Sequence, residues 1–216
     1  MPRQSWFDAL QMFRLCAACG HVYHDNTPSV PGQQCPRCHT ESASPNPYFV
    51  ATISDVADLI AKFYQLPNLD VHPTITPPPL SRANALAILV FFCTLGEILL
   101  QHFLERAMQK LDLPPDVQQR LLDDNLFTKQ RVQKLFPTLC GVKWNDAIKA
   151  ISINSPDNFE STASFFLDAS EHRNRLLHLG NTWQPPLDIA KQCFEHIAPL
   201  INLFVALHNI YLVRKL

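Results

Sequence analysis

The sequence predicts a mostly α-helical protein, a helical bundle carrying a small cysteine-rich ribbon at its N-terminus. Three observations predict it. From Ser81 to the end of the 216 residues, apolar positions recur at helical spacing with no alternating strand pattern. Ahead of that stretch, the first 45 residues are rich in Cys, Gly and Pro and hold two C-x2-C pairs. Between the two, Pro67 to Pro79 carries five prolines in 13 residues, an extended and stiff composition. The chain therefore divides into a ribbon (1–45), a short helix with a proline-rich linker (46–80), and a helical bundle (81–216).

Bulk composition supports a packed globule. Apolar residues make up 47% and charged residues 17%, far from the profile of a disordered chain. Formal net charge is −1, and neither part departs from balance: 4 Lys/Arg against 6 Asp/Glu up to Leu80, then 14 against 13. A protein that binds nucleic acid by broad phosphate neutralisation is basic, so any RNA contact must be local. The N-terminus lacks the apolar run of a secretory signal. The most apolar stretch, Ala85–Gly96, has 12 residues, short of the roughly 20 a spanning helix needs. It reads as a buried core helix, with no membrane partner. Cys93, Cys140 and Cys193 stand alone in apolar helical surroundings, where reduced buried thiols are expected. That usage points to a reducing compartment, the cytoplasm, with the paired cysteines holding metal.

The helices follow from periodicity and punctuation. Ile53–Leu66 places Val56, Leu59, Ile60 and Phe63 at helical spacing behind Ser54 or Asp55 as cap. Ser81 caps a helix reaching about Leu111, roughly 45 Å at 1.5 Å per residue. It is apolar all round, which suits the centre of a bundle or a dimer interface. Pro114-Pro115 ends it. Short helices are expected at Asp116–Asp123, at Leu126–Phe136 stopping before Pro137, and at Lys143–Ile151. Phe159–Leu179 is closed by Gly180-Asn181, and Leu187–Val213 carries Pro199 as a kink.

In the ribbon, Cys16-Ala-Ala-Cys19 and Cys35-Pro-Arg-Cys38 form C-x2-C-x15-C-x2-C. Two intervening residues let both sulfurs of a tight turn face one ion, and Gly20 supplies the permissive backbone after the first pair. Four thiolates close a tetrahedral Zn²⁺ shell, so the expected site is structural and supplies folding energy to a module with little core. A redox dithiol or an iron–sulfur centre is the alternative. His21, His24 and His39 lie close by and read as surface histidines, or as substitute ligands.

The second cluster is Glu171-His-Arg-Asn-Arg-Leu-Leu-His-Leu-Gly180. Histidine titrates near neutrality and moves protons; arginine offers a fixed charged fork to a phosphate. Together they suit RNA cleavage through the substrate's own 2′-OH, which needs no metal. Arg173-Asn174-Arg175-Leu176-Leu177-His178 with Gly180 close behind resembles the R-N-x3-H motif of the HEPN superfamily (higher eukaryotes and prokaryotes nucleotide-binding). The likeness extends as architecture over Ser81–Leu216 and as motif over about eight residues. It implies a HEPN-like bundle and a dimeric endoribonuclease of toxin–antitoxin or phage-defence type. Arg173 and His178 would be the catalytic pair and Asn174 their orienting neighbour. An antitoxin or another defence-system protein would be the partner. The superfamily also holds silent members, so the alternative is a non-catalytic HEPN scaffold, or a zinc-ribbon adaptor, that dimerises and binds nucleotide, RNA or a partner protein.

On a regular helix Arg173 lies about 140° from His178, whereas Glu171, Asn174 and His178 share a face. A facing copy in a two-fold dimer would bring the pair together. The bland alternative is a Glu171–Arg175 surface pair with His178 favoured by the helix C-terminus. Lys129, Arg131, Lys134 and Arg175 are candidate RNA contacts, or a solvated face. Glu97, inside the apolar helix, needs a partner if buried: water, Gln101 or a catalytic role.

Overall fold

The structure is a computed structural model that describes residues 10, 12–24, 34–41, 43–45, 51–65, 82–153, 155–179 and 187–213. Of these, 43–45, 51, 82, 177–179 and 187 are described as backbone. The proline-rich segment, Ser81 and the Gly180-Asn181 stop signal lie outside the described residues.

The ribbon is a three-stranded antiparallel sheet in the order β2-β1-β3. Its strands are β1 (Phe13–Cys16), β2 (Val22–His24) and β3 (Ala43–Pro45). Leu15 lies opposite Val22 on one side and Ser44 on the other. Such short strands cannot stand alone, and this sheet leans on the bundle: Leu10 and Val22, both about 1% exposed, belong to the same apolar core as the helices.

The short helix expected before the linker is α1 (Ala51–Gln65). Ile53, Val56, Ala57 and Ile60 form its buried stripe at i, i+3, i+4, i+7. It lies along α2 (Arg82–Lys110), with Phe63 stacked near Phe91 and Tyr64 on Phe194. The helix α2 is the centre of the protein. By length and composition alone it would suffice to cross a membrane, but half of its most apolar window is buried among other helices. It is flanked by α1, α7 (Phe159–Leu179), α8 (Leu187–Glu195) and α9 (Ile197–Tyr211), all from the same chain. One part of its apolar surface is thus buried within the chain, while Leu86, Val90, Phe91 and Ile98 are only partly buried.

After α3 (Pro115–Asp123) the structure departs from the expected stop before Pro137. A helical stretch runs as α4 (Thr128–Gln130), a π-helical turn (Arg131–Leu135) and α5 (Phe136–Cys140). Phe136 donates its N–H back to Arg131 O, an i→i−5 bond. The ladder changes register just where Pro137 has no N–H to give, so the ring sits at the first turn of a new helix rather than breaking an old one. The last two helices meet at His196 with a bend of 43°, and Pro199 falls in the first turn of α9. Earlier in the chain, α6 (Trp144–Ser152) packs against α7 and α9.

Helix α7 packs tightly on α2 at Gly96. A Cβ there would overlap the ring of Phe166, which is fully buried. Gly96 is thus a contact surface and not a helix weakness. Gly96→Ala, despite a helix-propensity gain of about 1 kcal/mol, is expected to destabilise the fold by about 1–3 kcal/mol through overpacking. Urea unfolding of the two proteins checks this.

Candidate functional site

The cysteine cluster follows from two matched knuckles. In the first, Cys16 N–H bonds His21 O at 2.9 Å and Gly20 N–H bonds Cys16 O at 2.8 Å. In the second, Cys35 N–H bonds Thr40 O at 3.0 Å and His39 N–H bonds Cys35 O at 2.9 Å. Both turn on a left-handed residue directly after the second cysteine, Gly20 at φ 78° and His39 at φ 58°. His39 thus has a backbone task that its side-chain chemistry did not announce, and among the described residues the cluster able to hold a metal ion is made of the four cysteines.

All four Sγ atoms lie within 4.8 Å of one another. Cys16 and Cys38 sulfurs are 3.5 Å apart, Cys19 and Cys35 sulfurs 3.7 Å. A tetrahedral thiolate shell with metal–sulfur bonds of about 2.3 Å has edges of about 3.8 Å. The residues present therefore fit a single tetrahedral ion. Backbone N–H groups reach the sulfurs, His21 to Cys19 and both Arg37 and Cys38 to Cys35, and would spread thiolate charge. Burial holds the Cys19 thiol up to about 12 in the metal-free chain, whereas Thr40 draws Cys38 down to about 6. Of the remaining thiols, burial pushes Cys93 and Cys140 up to about 12 and Cys193 upward as well. Cys93 and Cys193 sit in the apolar core and Cys140 packs against it.

The motif helix α7 has two working faces. Phe166, Ala169, Ser170 and Arg173 (i, i+3, i+4, i+7) turn toward α2. The other face borders a cleft of about 300 Å³ lined by Thr128, Lys129 and Gln133 opposite Leu167, Asp168, Glu171 and Asn174, with Ser170 at its edge. Arg173 points inward and its guanidinium forks onto the Glu97 carboxylate. Nη1 donates to Oε2 at 3.2 Å and Nη2 to Oε1. Thr128, 5% exposed, donates its hydroxyl to Glu97 Oε1 at 3.0 Å. Glu97 is thus neither merely hydrated nor paired with Gln101, which instead donates to Glu105 Oε1 at 2.9 Å. The partner was not legible in the sequence because it lies 76 positions away.

The structure brings Asn174 and Lys129 to one cleft, with Arg173 behind it. Position 178, one turn beyond Asn174, is on the same helical row, but the His178 side chain lies outside the described residues. The candidate RNA contacts scatter. Arg131 donates to Asn125 O at 2.9 Å and to Gln101 Oε1 at 3.4 Å. Arg175 pairs with Glu171 at 2.5 Å, as i,i+4 spacing allows, and Lys134 is exposed. Asp168 and Glu171 offset Lys129, so the cleft is not a broad basic patch.

Comparison with known protein families, curated proteins and solved structures gave no match to this chain.

One metal ion per chain is expected on elemental analysis, and Cys35→Ser should abolish its retention. Because loading displaces thiol protons, the hold on the ion should weaken as pH falls. A chelator titration at descending pH reads that sign directly.

Proposed function

We propose that the protein is a metal-independent endoribonuclease whose reaction centre is the cleft along α7, and that the N-terminal ribbon holds structural zinc. The observation that carries the first part is the Glu97 fork on Arg173. A guanidinium has five N–H donors; two serve Glu97, and Nε is buried without a hydrogen-bond partner. Arg173 is held in one orientation with donors to spare, which is what a group stabilising a phosphorane requires. Asn174 shares the adjoining cleft with Lys129. The helix register places His178 one turn from Asn174, and the motif's resemblance to the HEPN superfamily assigns it proton transfer.

In the reaction the 2′-oxygen attacks the adjacent phosphorus while His178 takes the hydroxyl proton. The bond to the 5′-oxygen breaks, and that oxygen takes a proton from the facing His178 of a second copy. The products are a 2′,3′-cyclic phosphate and a 5′-OH. No redox or metal step enters the balance. Zinc fits the ribbon because four thiolates leave it no open position, so its contribution there is folding energy and not Lewis acidity.

A second reading is favoured by the same ion pair. Glu97 offsets the charge of Arg173, and an offset cation serves a non-catalytic scaffold that binds nucleotide, RNA or a partner protein equally well. The two readings separate in one assay, RNA cleavage in EDTA. The ribonuclease reading expects cutting that His178→Ala lowers by a factor of roughly 10² to 10⁴. Arg173→Ala would leave Glu97 without its buried partner, so Arg173→Lys and circular dichroism must accompany it. Intact RNA after incubation with folded wild type, or undiminished cutting by His178→Ala, gives the scaffold reading its place.

A further inference from the structure

The first cysteine knuckle is held by the last helix as well as by its own sheet. Asn209, on α9, uses its whole side-chain amide on the free edge of β2: Val22 N–H donates to Asn209 Oδ1 at 2.8 Å, and Asn209 Nδ2 donates to Val22 O at 2.8 Å. One residue earlier on the same helix, His208 Nε2 lies 2.9 Å from the carbonyl of Gly20, the residue immediately after Cys19. His208 is 6% exposed and Val22 1%, so these bonds are made away from water, where leaving them unmade is costly. The amide of Asn209 acts as a surrogate strand. It closes an edge that three-residue β2 cannot pair elsewhere.

The backbone that the clamp grips, Gly20 to Val22, is the backbone whose path the metal fixes. Without an ion, Cys16 and Cys19 lose the bond that holds the knuckle in its turn; with one, Gly20 O and Val22 are presented at fixed positions to α9. In turn, α9 packs against both α2 and the motif helix α7. Two distinct sites thus share one element, which is the structural requirement for coupling.

We infer that the cysteine cluster is a metal-responsive switch on the helical bundle: metal occupancy sets the order of α9 through the Asn209–His208 clamp. This goes beyond the folding role proposed for the ribbon and does not depend on whether the cleft cuts RNA. The relation is reciprocal, so loosening the clamp must weaken metal binding by the factor with which metal loss loosens α9.

The test uses the full chain, Zn²⁺ as the metal, and a chelator of known affinity. Amide hydrogen exchange is followed by mass spectrometry for the segment 197–211, with 115–123 as an internal control. In wild type, chelation should raise exchange in 197–211 several-fold while 115–123 changes little. In Asn209→Ala, exchange in 197–211 should already be raised with Zn²⁺ bound and should respond little to chelation. Zn²⁺ should transfer to the chelator with an affinity weakened by a factor of roughly 5 to 150. Asn209→Asp, which keeps the acceptor and loses the donor, should fall between. Unchanged exchange in 197–211 on chelation of wild type overturns the inference. So does Asn209→Ala holding Zn²⁺ as tightly as wild type. If Asn209→Ala loses its helical circular dichroism, the wild-type chelation arm decides alone.

Discussion

The fold depends on how α7 is pinned to α2. Two adjacent residues of α2 do it by opposite means. Gly96 removes a side chain so that the ring of Phe166 can sit against the backbone. Glu97, the next residue, supplies a carboxylate for Arg173, seven positions further along α7. One contact sets the separation of the helices and the other fixes their relative slide. Because both anchors lie on one face of α7, the other face, with Asp168, Glu171 and Asn174, is turned to the cleft. The directions in which Arg173 and Asn174 face follow from that pin. A partly buried ion pair is a weak source of net stability but a strong source of register, since breaking it strands a charge.

This bears on how the motif could work. Sequence geometry places Arg173 away from Asn174 and His178, and the structure gives the divergence a cause: Arg173 is on the packing stripe. Any role for it at a phosphate is exercised from behind the cleft, across Thr128 and Glu97, or from a second chain. Burial of half of the most apolar window of α2 within the chain also matters, since it explains that helix's composition without a second copy. Leu126 and Phe127 are exposed by 66% and 54% beside Thr128. They precede the cleft-lining Thr128 in sequence, and periodicity gave no reason to single them out.

How much could be read without coordinates depended on the range of the interaction. Helix α7 was legible to the residue because its periodicity is local, and the cysteine cluster was legible because C-x2-C spacing encodes its own geometry. The bend at His196 was legible through Pro199. Three things were not. The π turn before Pro137 arises from a ladder rearrangement that no single residue announces. The backbone task of His39 is hidden behind a side chain that suggests a ligand. The partners of Glu97 and of the Gly20–Val22 edge lie 76 and about 187 positions away in sequence, and only folding brings them together. An isolated polar residue inside an apolar helix (Glu97, and likewise Asn209) was the available signal, marking a need for a partner without naming it.

The pin between α2 and α7 can be measured apart from any activity, by a double-mutant cycle on Glu97→Ala and Arg173→Ala followed by equilibrium urea unfolding of the metal-loaded chain. If Glu97 and Arg173 hold the two helices in register, each single variant loses stability. The double variant should then lose less than the sum, with a coupling of about 1–3 kcal/mol. Losses that add to within about 0.5 kcal/mol would mean the two side chains do not act together, and the orientation of α7 would need another cause.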